Sequence, residues 1–151
     1  MNEIIIRRAE MRDMDAMEAL EKACFSDPWS RAEIESALDS PVNLWLCAFS
    51  GETLAGVLGV QAIAPEADIL SVSVAPPFRR QGIARALLTR FFETAEEIDT
   101  VFLEVRRSNV PAQALYESMG FELFGMRKSY YENPVEDALL YSRSKPREEL
   151  C

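Results

Sequence analysis

Residues 71–88 read SVSVAPPFRRQGIARALL. The opening Ser-Val alternation has the period of a strand. Pro76 and Pro77 stop it. Arg79, Arg80, Gln81, Gly82, Ile83, Ala84 and Arg85 then open a helix. The spacing predicts that helix over residues 80–98, with Ile83, Leu87, Leu88, Phe91, Phe92 and Ala95 on one side. A helix N-terminus presents unpaired backbone N–H groups and a partial positive charge. Gly82 and Ala84 keep side chains small there, so a diphosphate can approach the backbone closely, and the three arginines add charge. A basic loop that only caps a helix explains the same residues, with glycine present for chain geometry. The glycine spacing fits neither a Walker loop nor a dinucleotide fingerprint.

Working outward, strands are expected at residues 3–8, 43–50, 53–64, 66–75 and 100–106, then as a final antiparallel pair at 121–131 and 137–144. Asp13 can cap a first helix whose Met14, Met17, Leu20 and Cys24 share a face. Ser30 and Glu33 make a capping-box pattern for a short second helix that ends before Pro41. Gly51-Glu52 reads as a tight turn, and Pro65-Glu66 divides two strands of an antiparallel meander. Asn109 opens a helix with Pro111 in its first turn, and Gly120 ends it. One domain over residues 1–145 is expected, with residues 146–151 as a frayed tail.

Composition narrows the chemistry. The chain has 151 residues, a length at which one core suffices without disulfide or metal staples. Cys24, Cys47 and Cys151 are odd in number and show no paired spacing. There is no histidine, which excludes a Cys/His zinc site and a histidine triad. No metal is expected. The longest apolar run near the start is three residues, too short for a signal peptide or a membrane span. A reduced cytoplasmic protein is the expectation. The net charge of −9 disfavours nucleic acid as a partner and suits a basic one; it also serves solubility alone.

Arg79-x-x-Gly82-x-Ala84 matches the pyrophosphate pattern Q/R-x-x-G-x-G/A, and on it the chain resembles the GCN5-related N-acetyltransferases (GNAT). A second stretch, LEVRRSNVPAQALYESMGF at residues 103–121, resembles the RimI-type branch of that family. PWS at residues 28–30 and the pair Tyr130-Tyr131 fit the same branch. The resemblance covers most of the chain after residue 25.

The resemblance implies an α/β (α+β) GNAT fold. That is a twisted, mostly antiparallel sheet of seven strands with helices on both faces. Strands four and five run parallel and splay to open a cleft. It implies acetyl-CoA as co-substrate. Backbone N–H groups of residues 80–85 would hold the diphosphate, and main-chain groups of Val72, Ser73 and Val74 with Asn109 would hold the pantetheine arm. It implies direct acetyl transfer in a ternary complex to the N-terminal α-amine of a protein, the N-terminal alanine of a basic small-subunit ribosomal protein. No cysteine falls in either motif, which disfavours a cysteine acyl-enzyme.

The chemistry needs a base for the amine and an acid for the departing thiolate. With the resemblance, Glu104 takes the first role and Tyr116 the second. Desolvation in an apolar strand would raise a carboxyl pKa toward that of a useful base. From the residues alone, the favoured reading of Glu104 is a solvent-facing acid and that of Tyr116 a core aromatic with a satisfied hydroxyl. Trp29, Tyr130 and Tyr131 are the candidate walls of the acceptor groove, with plain packing the alternative for Trp29. Strand alternation sends the two tyrosines to opposite faces. The shorter link before the LEVR strand and the Pro134 turn depart from the branch pattern on the acceptor side. Rival readings are transfer to lysine, a polyamine or a wider set of N-termini, and an acetyl-CoA-binding module without turnover. The sequence is silent on oligomeric state.

Overall fold

A computed structural model describes residues 3–145. The 146–151 tail and Cys151 lie outside the described residues. In chain order the elements are β1 (Ile4–Arg8), α1 (Met14–Cys24), α2 (Arg31–Asp39), β2 (Asn43–Ser50), β3 (Thr53–Ile63) and β4 (Glu66–Val74). They continue with α3 (Ile83–Thr94), β5 (Thr100–Arg106), α4 (Val110–Ser118), β6 (Glu122–Tyr131) and β7 (Glu136–Ser144). The strands form one sheet in the order β1-β2-β3-β4-β5-β7-β6. β4 and β5 pair in parallel, through Glu66–Asp68 against Thr100–Phe102. The β1–β2, β2–β3, β5–β7 and β6–β7 pairs are antiparallel. This is the mixed seven-stranded arrangement expected.

The chain divides into two compact units. One holds residues up to Gln61 together with Leu70–Ala95, and the other holds Ala62–Ile69 together with residues from Glu96 on. The first packs Met14, Met17 and Leu20 of α1, Ile34 of α2 and Trp45, Cys47, Leu54 and Val57 of the strands. Gly56 on β3 matters here. A Cβ at that position would lie 2.8 Å from Ile83 and 3.0 Å from the Ser73 carbonyl oxygen. Only a residue without a side chain lets α3 and β4 come this close to β3. In the second unit Val101, Leu103 and Val105 of β5 are buried, as are Phe121, Ala138 and Tyr141. The Tyr141 hydroxyl donates to Glu117 at 2.7 Å, so the one polar atom of that buried ring is satisfied.

Two helix starts differ from expectation. Asp13 does not cap α1 with its side chain. A 3-10 turn over Met11–Asp13 comes first, and the Asp13 carboxylate closes it by accepting the Glu10 N–H at 2.8 Å. The same carboxylate takes two hydrogen bonds from Arg7, at 2.8 and 2.9 Å. A bidentate guanidinium is a stronger partner than one cap N–H. The other difference is α3, which runs Ile83–Thr94 rather than 80–98. Arg80 at φ 65 and Gly82 at φ 78 are left-handed, which excludes them from a right-handed helix. At the far end Glu93, Glu96 and Glu97 gather where the helix dipole disfavours negative charge.

The second helix cap and two glycine stops are as expected. Ser30 Oγ accepts from the Glu33 N–H and Glu33 accepts from the Ser30 N–H, which is the expected capping box. Gly51 and Gly120 have φ of 60 and 92, as the turn and helix stop need.

Candidate active site

The first unit carries the phosphate-binding features. β4 ends at Val74, Pro76–Phe78 form a 3-10 turn, and α3 begins at Ile83 with Gly82 as its N-cap. Arg79, Arg80, Gln81 and Gly82 are exposed, whereas Ile83 is buried and anchors the helix start. Among the described residues, the N–H groups of Arg80, Gln81, Gly82, Ile83 and Ala84 make no hydrogen bond. Five adjacent donors at a helix N-terminus suit an anion. The first α3 hydrogen bond is Ala86 N–H to the Gly82 carbonyl, 2.9 Å.

The Arg79 side chain turns back. Its Nε donates to the Val74 carbonyl at 3.1 Å, and the Cys24 thiol donates to the same oxygen at 3.4 Å. The Val74 carbonyl is thus already engaged by two donors. Val72 and Val74 are half-buried and Ser73 is buried. Cys24 comes from α1, so a thiol outside both motifs stands against the end of β4.

The second unit carries the acid and base candidates. Glu104 is exposed in the middle of β5, between buried Leu103 and Val105. The strand alternation is as expected, with the Glu104 side chain on the exposed face of β5. Tyr116 on α4 is 7% exposed, with its ring edge-on to Phe121 at 5.7 Å. Burial raises its pKa to about 12, so the hydroxyl keeps its proton at neutral pH. Asn109 caps α4 by accepting the Ala112 N–H at 3.2 Å.

Tyr130 and Tyr131 do not face opposite ways. Their ring centroids are 5.1 Å apart at an interplanar angle of 83°. The reason is a bulge: Ser129 has φ 53, and the β6–β7 register shifts between Arg127 and Tyr131. Ser129 N–H is held by Asp137 at 2.9 Å. Both rings therefore gather beside Glu104. A hydrogen bond to Glu104 is the main reason the Tyr130 pKa is raised. Burial, then the charge of Glu104, pushes Tyr131 to about 12. Arg106 lies 4.6 Å from the Tyr131 ring centroid. It also donates to the Glu132 carbonyl at 2.7 Å, the Pro134 carbonyl at 3.0 Å and Glu136 at 3.1 Å. The arginine of the LEVR segment thus fixes the β6–β7 turn that follows the tyrosines.

Two carboxylates escape a reading of the motifs. Asp68 lies on β4 opposite Phe102, two residues before Glu104 on β5. Burial, then the charges of Glu66 and Glu104, raises its pKa. Glu21 on α1 is 9% exposed and accepts the Trp29 N–H at 3.1 Å. Its sequence signal is an acid on the face of Met14 and Met17. Trp29 itself is half-buried, edge-on to Trp45 at 5.8 Å. Among the described residues no group of three or more His, Cys, Asp or Glu side chains converges to hold a metal ion, and no helix is long and apolar enough to cross a membrane.

A family model described as the acetyltransferase (GNAT) family matches residues 14–121. The chain belongs to the GNAT family of acetyltransferases. This acetyltransferase is 32% identical over 139 residues to the ribosomal protein bS18-alanine N-acetyltransferase of Escherichia coli strain K12, covering 89% of the chain and 93% of that relative. It is 36% identical over 121 residues to the N-alpha-acetyltransferase RimI of Mycobacterium tuberculosis, covering 78% and 76%. The crystal structure of the E. coli ribosomal-protein-S18-alanine N-acetyltransferase superposes with a TM-score of 0.87 at 31% identity, covering 94% of each chain. Arabidopsis thaliana NAA60, solved in complex with acetyl-CoA, shares the fold at 18% identity, with a TM-score of 0.84 over 95% of this chain and 100% of that one.

Proposed function

We propose that this acetyltransferase moves the acetyl group of acetyl-CoA to the α-amine of a protein N-terminus, the N-terminal alanine of ribosomal protein bS18. The observation that carries the reading is the grouping of Glu104, on the strand that leads into α4, with Tyr130 and Tyr131 of β6, together with the buried, protonated Tyr116 of α4. The kinship to a relative named for that acceptor, and to one named an N-alpha-acetyltransferase, supports the choice of amine.

The co-substrate fits the residues present. The free N–H groups of residues 80–84, with Arg80 and Arg85, would hold its diphosphate, and β4 main-chain groups of Val72 to Val74 with Asn109 its pantetheine arm. Acetyl-CoA supplies an activated thioester. The amine nitrogen attacks the thioester carbonyl, the C–N bond forms and the C–S bond breaks. Glu104 takes the proton released by the nitrogen, directly or through one water. Tyr116 gives its proton to the coenzyme thiolate. An α-amine has pKa about 7.7–8.0, so roughly a quarter or more is already neutral at pH 7.5. A lysine at about 10.4 is neutral in roughly one molecule per thousand. An exposed carboxylate is therefore base enough for the first acceptor. Trp29, Tyr130 and Tyr131 flank the acceptor peptide. Residues 1–145 act as one catalytic domain, in the cytoplasm.

The test is acetyl transfer, followed by mass spectrometry, onto a peptide copying the bS18 N-terminus. Glu104→Gln and Tyr116→Phe run beside the unmodified chain. Acetylation of the α-amine, reduced at least about tenfold in both variants, supports the acceptor and the two roles. Bound acetyl-CoA without transfer to this peptide removes the assigned acceptor.

A further inference from the structure

The connection between α1 and α2 carries Trp29, and its backbone is almost free of hydrogen bonds. Phe25 N–H closes the end of α1 on the Glu21 carbonyl, and Ile34 N–H opens α2 on the Ser30 carbonyl. Among the described residues, the backbone of residues 26–29 makes a single hydrogen bond, from Trp29 N–H to the Glu21 carboxylate at 3.1 Å. Glu21 is a costly choice for that task. It sits on the packed face of α1, against a small cavity it shares with Met17, Trp29, Ile34, Trp45 and Ser73. Burial raises its pKa, while hydrogen bonds from Trp29 N–H and the Ser71 side chain oppose the rise. An apolar residue at position 21 would pack in the same place without any desolvation penalty. What only an acceptor at that position supplies is the tie from the loop to α1.

We propose that Glu21 is a positioning residue for acceptor binding: its carboxylate fixes the 26–29 backbone, and with it Trp29, beside the strand that takes the pantetheine arm. The proposal rests on the reading of Trp29 as a wall of the acceptor groove. It assigns Glu21 no proton transfer and no contact with either co-substrate.

Two substitutions separate the tie from packing. Glu21→Leu keeps the volume and removes the acceptor. Glu21→Gln keeps an acceptor oxygen in place. Amide hydrogen exchange, read by mass spectrometry, should quicken about tenfold at Trp29 in the Leu variant, with α1 and β4 unchanged, and stay within about twofold in the Gln variant. Kinetics should follow. In the Leu variant KM for the bS18 peptide rises about tenfold while kcat and KM for acetyl-CoA stay within about twofold, and Gln restores the peptide KM. Unchanged exchange at Trp29, or exchange that rises equally across α1 and β4, overturns the proposal. So does a peptide KM that does not move when the loop loosens. If the Leu chain fails to fold, Glu21→Asp withdraws the acceptor by one methylene and is read the same way. If the unmodified chain transfers nothing to this peptide, the acceptor reading fails by itself, and exchange at Trp29 still decides whether Glu21 holds the loop.

Discussion

Replacing Tyr116 by phenylalanine removes one oxygen from α4 and leaves the ring in place against Phe121. The residue is 7% exposed. Burial alone lifts its pKa from 10 to about 12. In the unfolded chain the same phenol ionises near 10. Above that pH the unfolded state releases a proton that the folded state still holds, so stability falls as pH rises. The contribution is fully present below pH 10. The loss assigned to this one group is on the order of 1 kcal/mol at pH 11 and grows as pH rises further. Tyr116→Phe has no proton to lose. Urea unfolding at pH 8 and pH 11 should therefore show the variant losing less with alkali than the unmodified chain, by on the order of 1 kcal/mol. At pH 8 the two should be within about 1 kcal/mol, since the buried hydroxyl is exchanged for hydrogen without leaving a partner unpaired. In the same variant kcat should drop at least about tenfold while both KM values hold within about twofold. Equal alkaline loss in both chains would refute the burial argument. Full kcat in a well-folded variant would refute the acid role.

Three other outcomes follow from the packing. Gly59→Ala places a Cβ 2.3 Å from the Trp45 ring, so thermal melts should show a loss of about 1–3 kcal/mol; an unchanged melting point means the ring moves freely. Cys47 is fully buried and its pKa is pushed up to about 12 by burial, so iodoacetamide at pH 8 should alkylate it only after denaturation; rapid alkylation of the folded chain contradicts this. Arg7, through its hydrogen bonds, holds the Asp13 carboxyl below its ordinary range. That stability is present at neutral pH and is lost as pH falls through the folded pKa. The melting-point gap between the unmodified chain and Asp13→Asn should therefore shrink in acid, and a constant gap excludes the ion pair as its source.

The strands were readable because each is a run of apolar or β-branched residues between turn formers. β2 and β5 begin and end where their patterns do. Caps were readable where the partner lies three residues away, as Ser30 with Glu33 and Asn109 with Ala112. Asp13 was misread because its partner, Arg7, comes from a different element, and no local pattern signals it. The start of α3 was misplaced because apolar spacing says nothing of φ at Arg80. At the site, Glu104 and Tyr116 were legible as motif members, but exposure of the first and burial of the second belong to the fold. The two tyrosines share a side because of one left-handed serine. Asp68 and Glu21 stand outside both motifs, and their neighbours come from distant parts of the chain.

Gly82 raises a question of handedness. A Cβ there would meet no protein atom within 4 Å, yet φ is +78. The protein itself therefore asks for the mirror-image side of backbone space at this position, not for room. Asparagine is the L-residue that visits this region most readily. A D-alanine installed by chemical ligation would be at ease at that φ while adding one methyl group. It keeps the handedness and withdraws only the clearance, so it parts two reasons for glycine that no genetically encoded residue can part.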